Sequence, residues 1–352
     1  MKRKNIIRTI AGVALVAVAA VAGASFYMLD YSLYSDSNRT SGEDSFNYFC
    51  KTNPSLKDWG DSLKRTGTLR DTFIVMPDNS RQHAIFARSP QAAGRTALLV
   101  HGYGDCSYGM LHIASIYSRV LGYNIILPDL HAHGQSDGND IQMGWKDRLD
   151  VLHWAEVAER MFRSEGHPSQ MVMHGVSMGA ATTMCVSGEQ TPDYLRCFVE
   201  DCGYTSVWDE FRHESAKRFH VPAFPLMYTT SALCKLRYGW SFGEASPLRQ
   251  VAKCRKPMLF IHGDNDTFVP TAMVYPLYEA KPQPKQLWIA PGSSHAASFS
   301  DHPAEYTSRV TGFVTKYIKY VSHACGMLIV KKSTSRQAAN VTSQWQFGRA
   351  EL

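Results

Sequence analysis

Gln170-Met171-Val172-Met173-His174-Gly175-Val176-Ser177-Met178-Gly179-Ala180-Ala181-Thr182-Thr183-Met184-Cys185 reads as a short apolar strand, a serine between two glycines, and the start of a helix. A glycine-flanked serine at a strand-to-helix turn is a nucleophile elbow. The glycines are expected to let the backbone turn sharply enough to lift the serine Oγ out of the fold. A bare G-x-S-x-G pattern arises often by chance. Its weight here comes from what precedes and follows it.

Before it, His101-Gly102-Tyr103-Gly104 follows an apolar run at residues 96–100. A glycine-flanked turn there aims a backbone N–H at a developing oxyanion, and the expected donors are the amides of Tyr103 and Met178. The bland reading is a tight turn between strand and helix. After it, His262-Gly263-Asp264-Asn265-Asp266-Thr267-Phe268-Val269-Pro270 follows another apolar run and offers two acids. Asp266 is the expected partner of the base, Asp264 is expected to cap the turn, and Asp201 at the end of the preceding strand is a third possibility. His295, in Pro291-Gly292-Ser293-Ser294-His295, comes last and is the expected base. It would take the Ser177 proton and return it to the leaving group, with Asp266 steadying its tautomer. His131 and His133 precede Ser177 and fit that order poorly.

Apolar runs at 96–100, 124–128, 170–176, 195–199, 257–261 and 286–289 alternate with helical stretches such as 148–162. Continuous apolar strands between helices predict an α/β fold, a mostly parallel sheet covered on both faces. Residues 68–75 and 83–88, separated by Pro77-Asp78-Asn79, predict an antiparallel hairpin ahead of it. Residues 205–253 are too long for an ordinary connection and carry Trp208, Phe211, Phe219, Phe224, Trp240 and Phe242. They are expected to form a helical cap insertion over the site, or else a surface excursion with its own small core.

The N-terminus is a separate object. Lys2, Arg3, Lys4 and Arg8 precede an uncharged apolar stretch from residue 10 to 29, about the 20 residues that span a bilayer. Residues 1–29 are therefore expected to be a signal anchor that leaves its basic end cytoplasmic and exports the rest to the periplasm or beyond. A cleaved signal peptide is the alternative, with Ala22-Gly23-Ala24 as the cleavage site and secretion as the result. Residues 30–67 read as a polar juxtamembrane segment, 68–320 as the catalytic domain, and 321–352 as a loose polar tail. The eight cysteines lack metal-site spacing. Scattered basic residues and a net charge of +6 argue against a nucleic-acid partner.

Residues 68–320 resemble the α/β-hydrolase superfamily. Asp129-Leu130-His131-Ala132-His133-Gly134-Gln135-Ser136-Asp137-Gly138 looks like its D-x-R-x-H-G-x-S-x-G turn, with His131 where arginine is usual. Met143-Gly144-Trp145-Lys146-Asp147-Arg148-Leu149-Asp150 is similar to a segment of the bacterial esterase and serine-aminopeptidase-like branch, which includes membrane-anchored members. The resemblance implies a serine hydrolase working through an acyl-enzyme, with no cofactor, and the lack of H-E-x-x-H or clustered ligands argues against a metal. The substrate expected is a carboxylic ester, lipid-like or an acylated small molecule. A serine peptidase or acyltransferase of the same fold is the alternative, and a non-catalytic binding protein on this scaffold is the second.

Overall fold

The computed structural model describes residues 2–35 and 42–319; the expected tail and Cys325 lie outside the described residues. Eight strands form one sheet: β1 Leu69–Val75, β2 Arg81–Ala87, β3 Arg95–Val100, β4 Asn124–Pro128, β5 Gln170–Val176, β6 Leu195–Asp201, β7 Met258–Gly263 and β8 Lys285–Ala290. Their spatial order is β1-β2-β4-β3-β5-β6-β7-β8. β2 pairs antiparallel with β1 and with β4, and every later pairing is parallel. This is the α/β-hydrolase fold.

The strands β3 to β7 are buried on both faces, which is why they read as nearly continuous apolar runs. Leu98, Ile126, Met173 and Phe198 point into one core, where helices Asp147–Phe162 and Met178–Ser187 also pack. Their neighbours Ala97, Leu99, Ile125 and Val172 point into the other, beneath helix Pro303–Tyr317. Part of the expected juxtamembrane segment belongs to that second core. Phe46 and Phe49 of helix Gly42–Thr52 are buried there, the three-residue spacing placing both rings on one face.

Among the described residues one helix is long and apolar enough to cross a membrane, and it runs to Leu33 rather than stopping at 29. The insertion expected over 205–253 holds helices Val207–Phe219 and Leu226–Tyr238. Its last helix, Pro247–Val251, lies elsewhere: the Gln250 amide donates to Glu189 just beyond the elbow helix, at 3.3 Å.

The strand order places the site. From β3 the chain steps outward to β4 and then crosses back to β5 on the other side of β3. Such a switch point leaves a crevice at the carboxyl ends of the two central strands, where connections diverge. Val100 and Gly175 are register partners there, so the loops that leave β3 and β5 start side by side.

The elbow glycines act differently from the expectation. Neither has a positive φ; that conformation belongs to Ser177 itself, at φ 57° and ψ −119°. What the glycines supply is close approach. A Cβ on Gly175 would stand 2.0 Å from the carbonyl oxygen of Gly179, and one on Gly179 would stand 2.0 Å from that of Val100. Backbone on both sides leaves nothing to rotate away. Gly179→Ala should therefore lower the unfolding free energy by about 3 kcal/mol, seen in a denaturant titration of the full chain in detergent. An unchanged midpoint would mean that the turn tolerates a methyl group.

Candidate active site

Ser177 sits between β5 and helix Met178–Ser187, its own N–H donating to the Asp201 carbonyl at 2.8 Å. Its hydroxyl lies 2.8 Å from His295 Nε2. His295 Nδ1 lies 2.7 Å from Asp266 Oδ2. A carboxylate accepts, so Nδ1 carries the proton and Nε2 is left to accept from the serine. The structure thus brings Ser177, His295 and Asp266 into one line of hydrogen bonds, from loops after β5, β8 and β7.

The surroundings of Asp266 keep it charged. Burial opposes ionisation, but hydrogen bonds to His262 and His295 outweigh it and hold the carboxyl down to about 2. Its second oxygen accepts the amides of Phe268 and Val269, both at 2.9 Å. His262 Nε2 faces the Val269 carbonyl at 2.9 Å and Asp266 at 3.4 Å, and so supports the loop from beneath.

The other two acids lie outside that line. Asp264 accepts the Gly292 amide at 2.6 Å and thereby ties the loop after β7 to the loop that carries His295. Asp201 accepts from the Tyr306 hydroxyl at 2.9 Å, and its carboxyl is raised to about 6 by burial. Tyr306 in turn accepts from His174, whose other nitrogen accepts from Tyr117. This chain of buried groups braces the sheet under the site.

The expected oxyanion loop passes over the serine: a Cβ on Gly102 would lie 3.4 Å from the Ser177 Cβ. Two histidines hold the loop in place. His101 Nε2 accepts the Leu130 amide at 2.9 Å, and His133 Nε2 accepts the Gly104 amide at 3.2 Å. The Asp129 turn is itself pinned, since Asp129 accepts from His83 and from the amides of Ser107 and Gln135. His131, in the usual arginine position, faces Asp140 at 3.6 Å. Met143, from the second resembling segment, reaches the site and offers its carbonyl to the Tyr204 hydroxyl at 2.9 Å.

A cavity of about 350 Å³ stands over Ser177. Helices Val207–Phe219 and Leu226–Tyr238 supply Phe211, Phe219, Leu226 and Met227 to its wall, and Phe268 closes it on the His295 side. Two contributors were missed from sequence. Glu210 is buried in the wall with neither carboxylate oxygen paired, and burial, with Glu214 nearby, pushes its pKa up to about 8. Met28, Tyr31 and Ser32 come from the N-terminal helix. A uniform apolar run gives no sign that its end lines a pocket.

Among the described residues, Cys202, Asp266 and His295 are the three groups close enough together to suggest a metal. Burial raises the Cys202 thiol well above its usual value, and the other two already bond one another, so the set suits a proton relay better. The seven described cysteines are unpaired.

Comparison with known proteins agrees with this architecture. A model of the prolyl oligopeptidase family matches residues 122–320. The uncharacterized protein YqkD of Bacillus subtilis is 28% identical over 226 residues, covering 64% of this chain and 73% of its own. The Pyrococcus furiosus esterase Pf2001 superimposes with a TM-score of 0.58 at 21% identity, over 73% of this chain and 94% of the esterase. An acylaminoacyl peptidase superimposes with a TM-score of 0.54 at 15% identity, over 75% of this chain and 44% of the peptidase. At these identities the solved structures speak to the fold alone.

The low pKa of Asp266 has a measurable consequence. In the unfolded chain an aspartate titrates near about 3.9, so ionised Asp266 stabilises the fold at neutral pH, and that contribution is lost as pH falls through about 4 toward 2. Urea titrations at stepped pH should show about 2 kcal/mol of acid-dependent loss that the Asp266→Asn variant lacks. Parallel pH profiles for the two proteins would refute the low value.

Proposed function

The chain belongs to the prolyl oligopeptidase family of α/β serine hydrolases, and from that premise we propose that it cleaves carboxylic esters of lipid-like or acylated molecules, with Ser177, His295 and Asp266 as its catalytic groups. The observation that carries this reading is the relay of 2.8 and 2.7 Å hydrogen bonds that ends at a serine on the floor of an apolar cavity.

The Ser177 oxygen attacks the ester carbonyl carbon while His295 Nε2 takes its proton. Charge builds on the former carbonyl oxygen, and the amides of Tyr103 and Met178 receive it. Met178 opens a helix, so the partial positive charge of the helix N-terminus adds to its N–H. The imidazolium, steadied by Asp266, then protonates the departing alkoxide, which leaves as the alcohol. Water repeats the sequence on the acyl-serine, giving the carboxylic acid and restoring the hydroxyl. Ester specificity draws its support from the aromatic and aliphatic cavity wall, which suits an acyl chain. In this reading the apolar N-terminal helix holds the domain at a membrane, with Lys2, Arg3, Lys4 and Arg8 left on the cytoplasmic side.

A second reading, a serine peptidase, has one observation in its favour. The unpaired Glu210 carboxyl in the cavity wall would ionise on meeting a substrate ammonium group and pair with it.

Ser177→Ala should abolish both hydrolysis of p-nitrophenyl esters and labelling by a fluorophosphonate probe; labelling that survives would sink the nucleophile assignment. Asp266→Asn should cost roughly a thousandfold in kcat, whereas Asp264→Asn should cost less than about tenfold. The reverse order would reassign the acid. Turnover of peptide p-nitroanilides above that of esters, lost in Glu210→Gln, would favour the peptidase.

A further inference from the structure

The N-terminal helix carries two different surfaces. From Lys4 to Ala24 its side chains are exposed, apart from a half-buried Val21. Beyond that, Ser25, Leu29 and Leu33 are buried, and their spacing of four draws a stripe down one side. The stripe faces the cap. The Ser25 and Thr229 hydroxyls share a hydrogen bond of 2.7 Å, and the Arg237 guanidinium meets Asp30 at 2.6 Å. After the helix, the Ile141 amide donates to the Leu33 carbonyl at 2.7 Å.

The two cross-links also give a direction. Passing from Ser25 to Asp30 on one helix and from Thr229 to Arg237 on the other moves the same way, so the helices run side by side and parallel. At 1.5 Å per residue, the start of the cap helix at Leu226 lies about 4.5 Å above the Ser25 level. That height matches Ala22, inside the apolar stretch. The connection before it, Val221-Pro222-Ala223-Phe224-Pro225, bears no charged side chain, and Phe224 is 73% exposed. Tyr228, one turn on and 57% exposed, packs its ring against Phe224. An apolar tip of the cap thus stands level with the membrane-crossing part of the first helix.

The reaction cavity lies between these same two parts. Met28, Tyr31 and Ser32 form one wall and the cap helices another. The Tyr31 ring meets Phe219 edge-on at 5.6 Å. The Tyr103 hydroxyl donates to the Ser32 carbonyl at 2.9 Å, so the loop expected to bind the oxyanion is tied directly to the helix.

We propose that the cavity opens sideways into the bilayer, between the N-terminal helix and the cap tip at Phe224, and that it admits the acyl esters of membrane lipids directly from the lipid phase. The proposal rests on the ester-hydrolase reading and narrows it to one source of substrate. The chemistry needs only water: the acyl C–O bond breaks, water oxygen joins the acyl carbon, and the glycerol oxygen of the deacylated lipid leaves with a proton. Tyr27, Tyr31 and Tyr34 sit where an aromatic belt meets the headgroups. The cap tip, level with Ala22, stands about 7.5 Å deeper than Tyr27 along the helix, on the acyl-chain side of that belt.

The test uses the full chain reconstituted into phosphatidylcholine vesicles containing dioleoylglycerol, with soluble p-nitrophenyl butyrate as the second substrate. Phe224→Asp should reduce dioleoylglycerol turnover at least tenfold while leaving butyrate hydrolysis and thermal stability as in the parent. Equal effects on both substrates, or no effect on either, would overturn the lateral opening. Phe224→Trp supplies a readout apart from activity: its added fluorescence should be quenched by phosphatidylcholine brominated on the acyl chains. Absence of quenching would place the tip in water and end the proposal. If the parent cleaves butyrate ester but no vesicle lipid, the bilayer opening fails and the ester reading stands. If it cleaves neither ester but does cleave peptide anilides, the ester reading itself has failed.

Discussion

Ser177 holds a backbone conformation that L-residues avoid, and the rest of the site depends on it. A φ of 57° at a serine is a local strain of order 1–3 kcal/mol, which persists only where packing allows no alternative. Here the packing is backbone against backbone. Gly179 lies against the Val100 carbonyl, and Gly175 lies against Gly179, so β3, β5 and the elbow helix lock at one point. The oxyanion loop leaves Val100 from the same point. The expected attacking oxygen and the expected oxyanion donors therefore share one rigid origin, and neither can shift without the other.

The electrostatics follow from that compactness. Several acids near the sheet are buried with little compensation: burial raises Asp147 to about 7 and Glu200 well above its ordinary range. Asp266 is the contrast, because two backbone amides and two histidines aim at it. Charge is thus kept at Asp266, and at Asp129 where His83 and two amides meet it, and suppressed at Asp147 and Glu200. The histidines divide in the same way. His101 and His133 use their ring nitrogens to hold backbone amides, leaving His295 as the one whose Nε2 meets the serine.

Much of this was legible in the sequence, for identifiable reasons. A strand buried on both faces must be apolar throughout, so 96–100, 124–128 and 170–176 declare themselves. Chain order and the apolar runs put Ser177, Asp266 and His295 on loops after three separate strands, β5, β7 and β8. Other features were hidden because their signals overlap with stronger ones. The stripe of Ser25, Leu29 and Leu33 disappears inside a run where nearly every residue is apolar. Phe46 and Phe49 are two aromatics in a segment that is otherwise polar, so its packing face went unread. The elbow glycines read in sequence as a source of conformational freedom, whereas the structure uses their missing side chains. A glycine in the sequence does not say which backbone approaches it, and here one of them is the Val100 carbonyl on another strand.

The N-terminal helix is therefore part of the folded body of the domain, and in the proposed reading it is its membrane tether as well. A helix used only to hold a domain near a bilayer needs no specific contact with it, and a flexible linker would serve. This one buries two leucines fully, adds a hydroxyl pair and an ion pair to the cap, and accepts a hydrogen bond from Tyr103. In the proposed reading, each contact fixes the height of the cavity relative to the membrane. That height matters energetically. Lifting a sixteen-carbon acyl chain out of the bilayer into water costs about 0.8 kcal/mol per methylene, or about 12 kcal/mol in all. An enzyme reached only through water would have to recover that cost in its own binding site. Under the proposed lateral opening, the acyl chain would pass from one apolar surface to another, leaving its binding energy available for an ester carbonyl at Ser177.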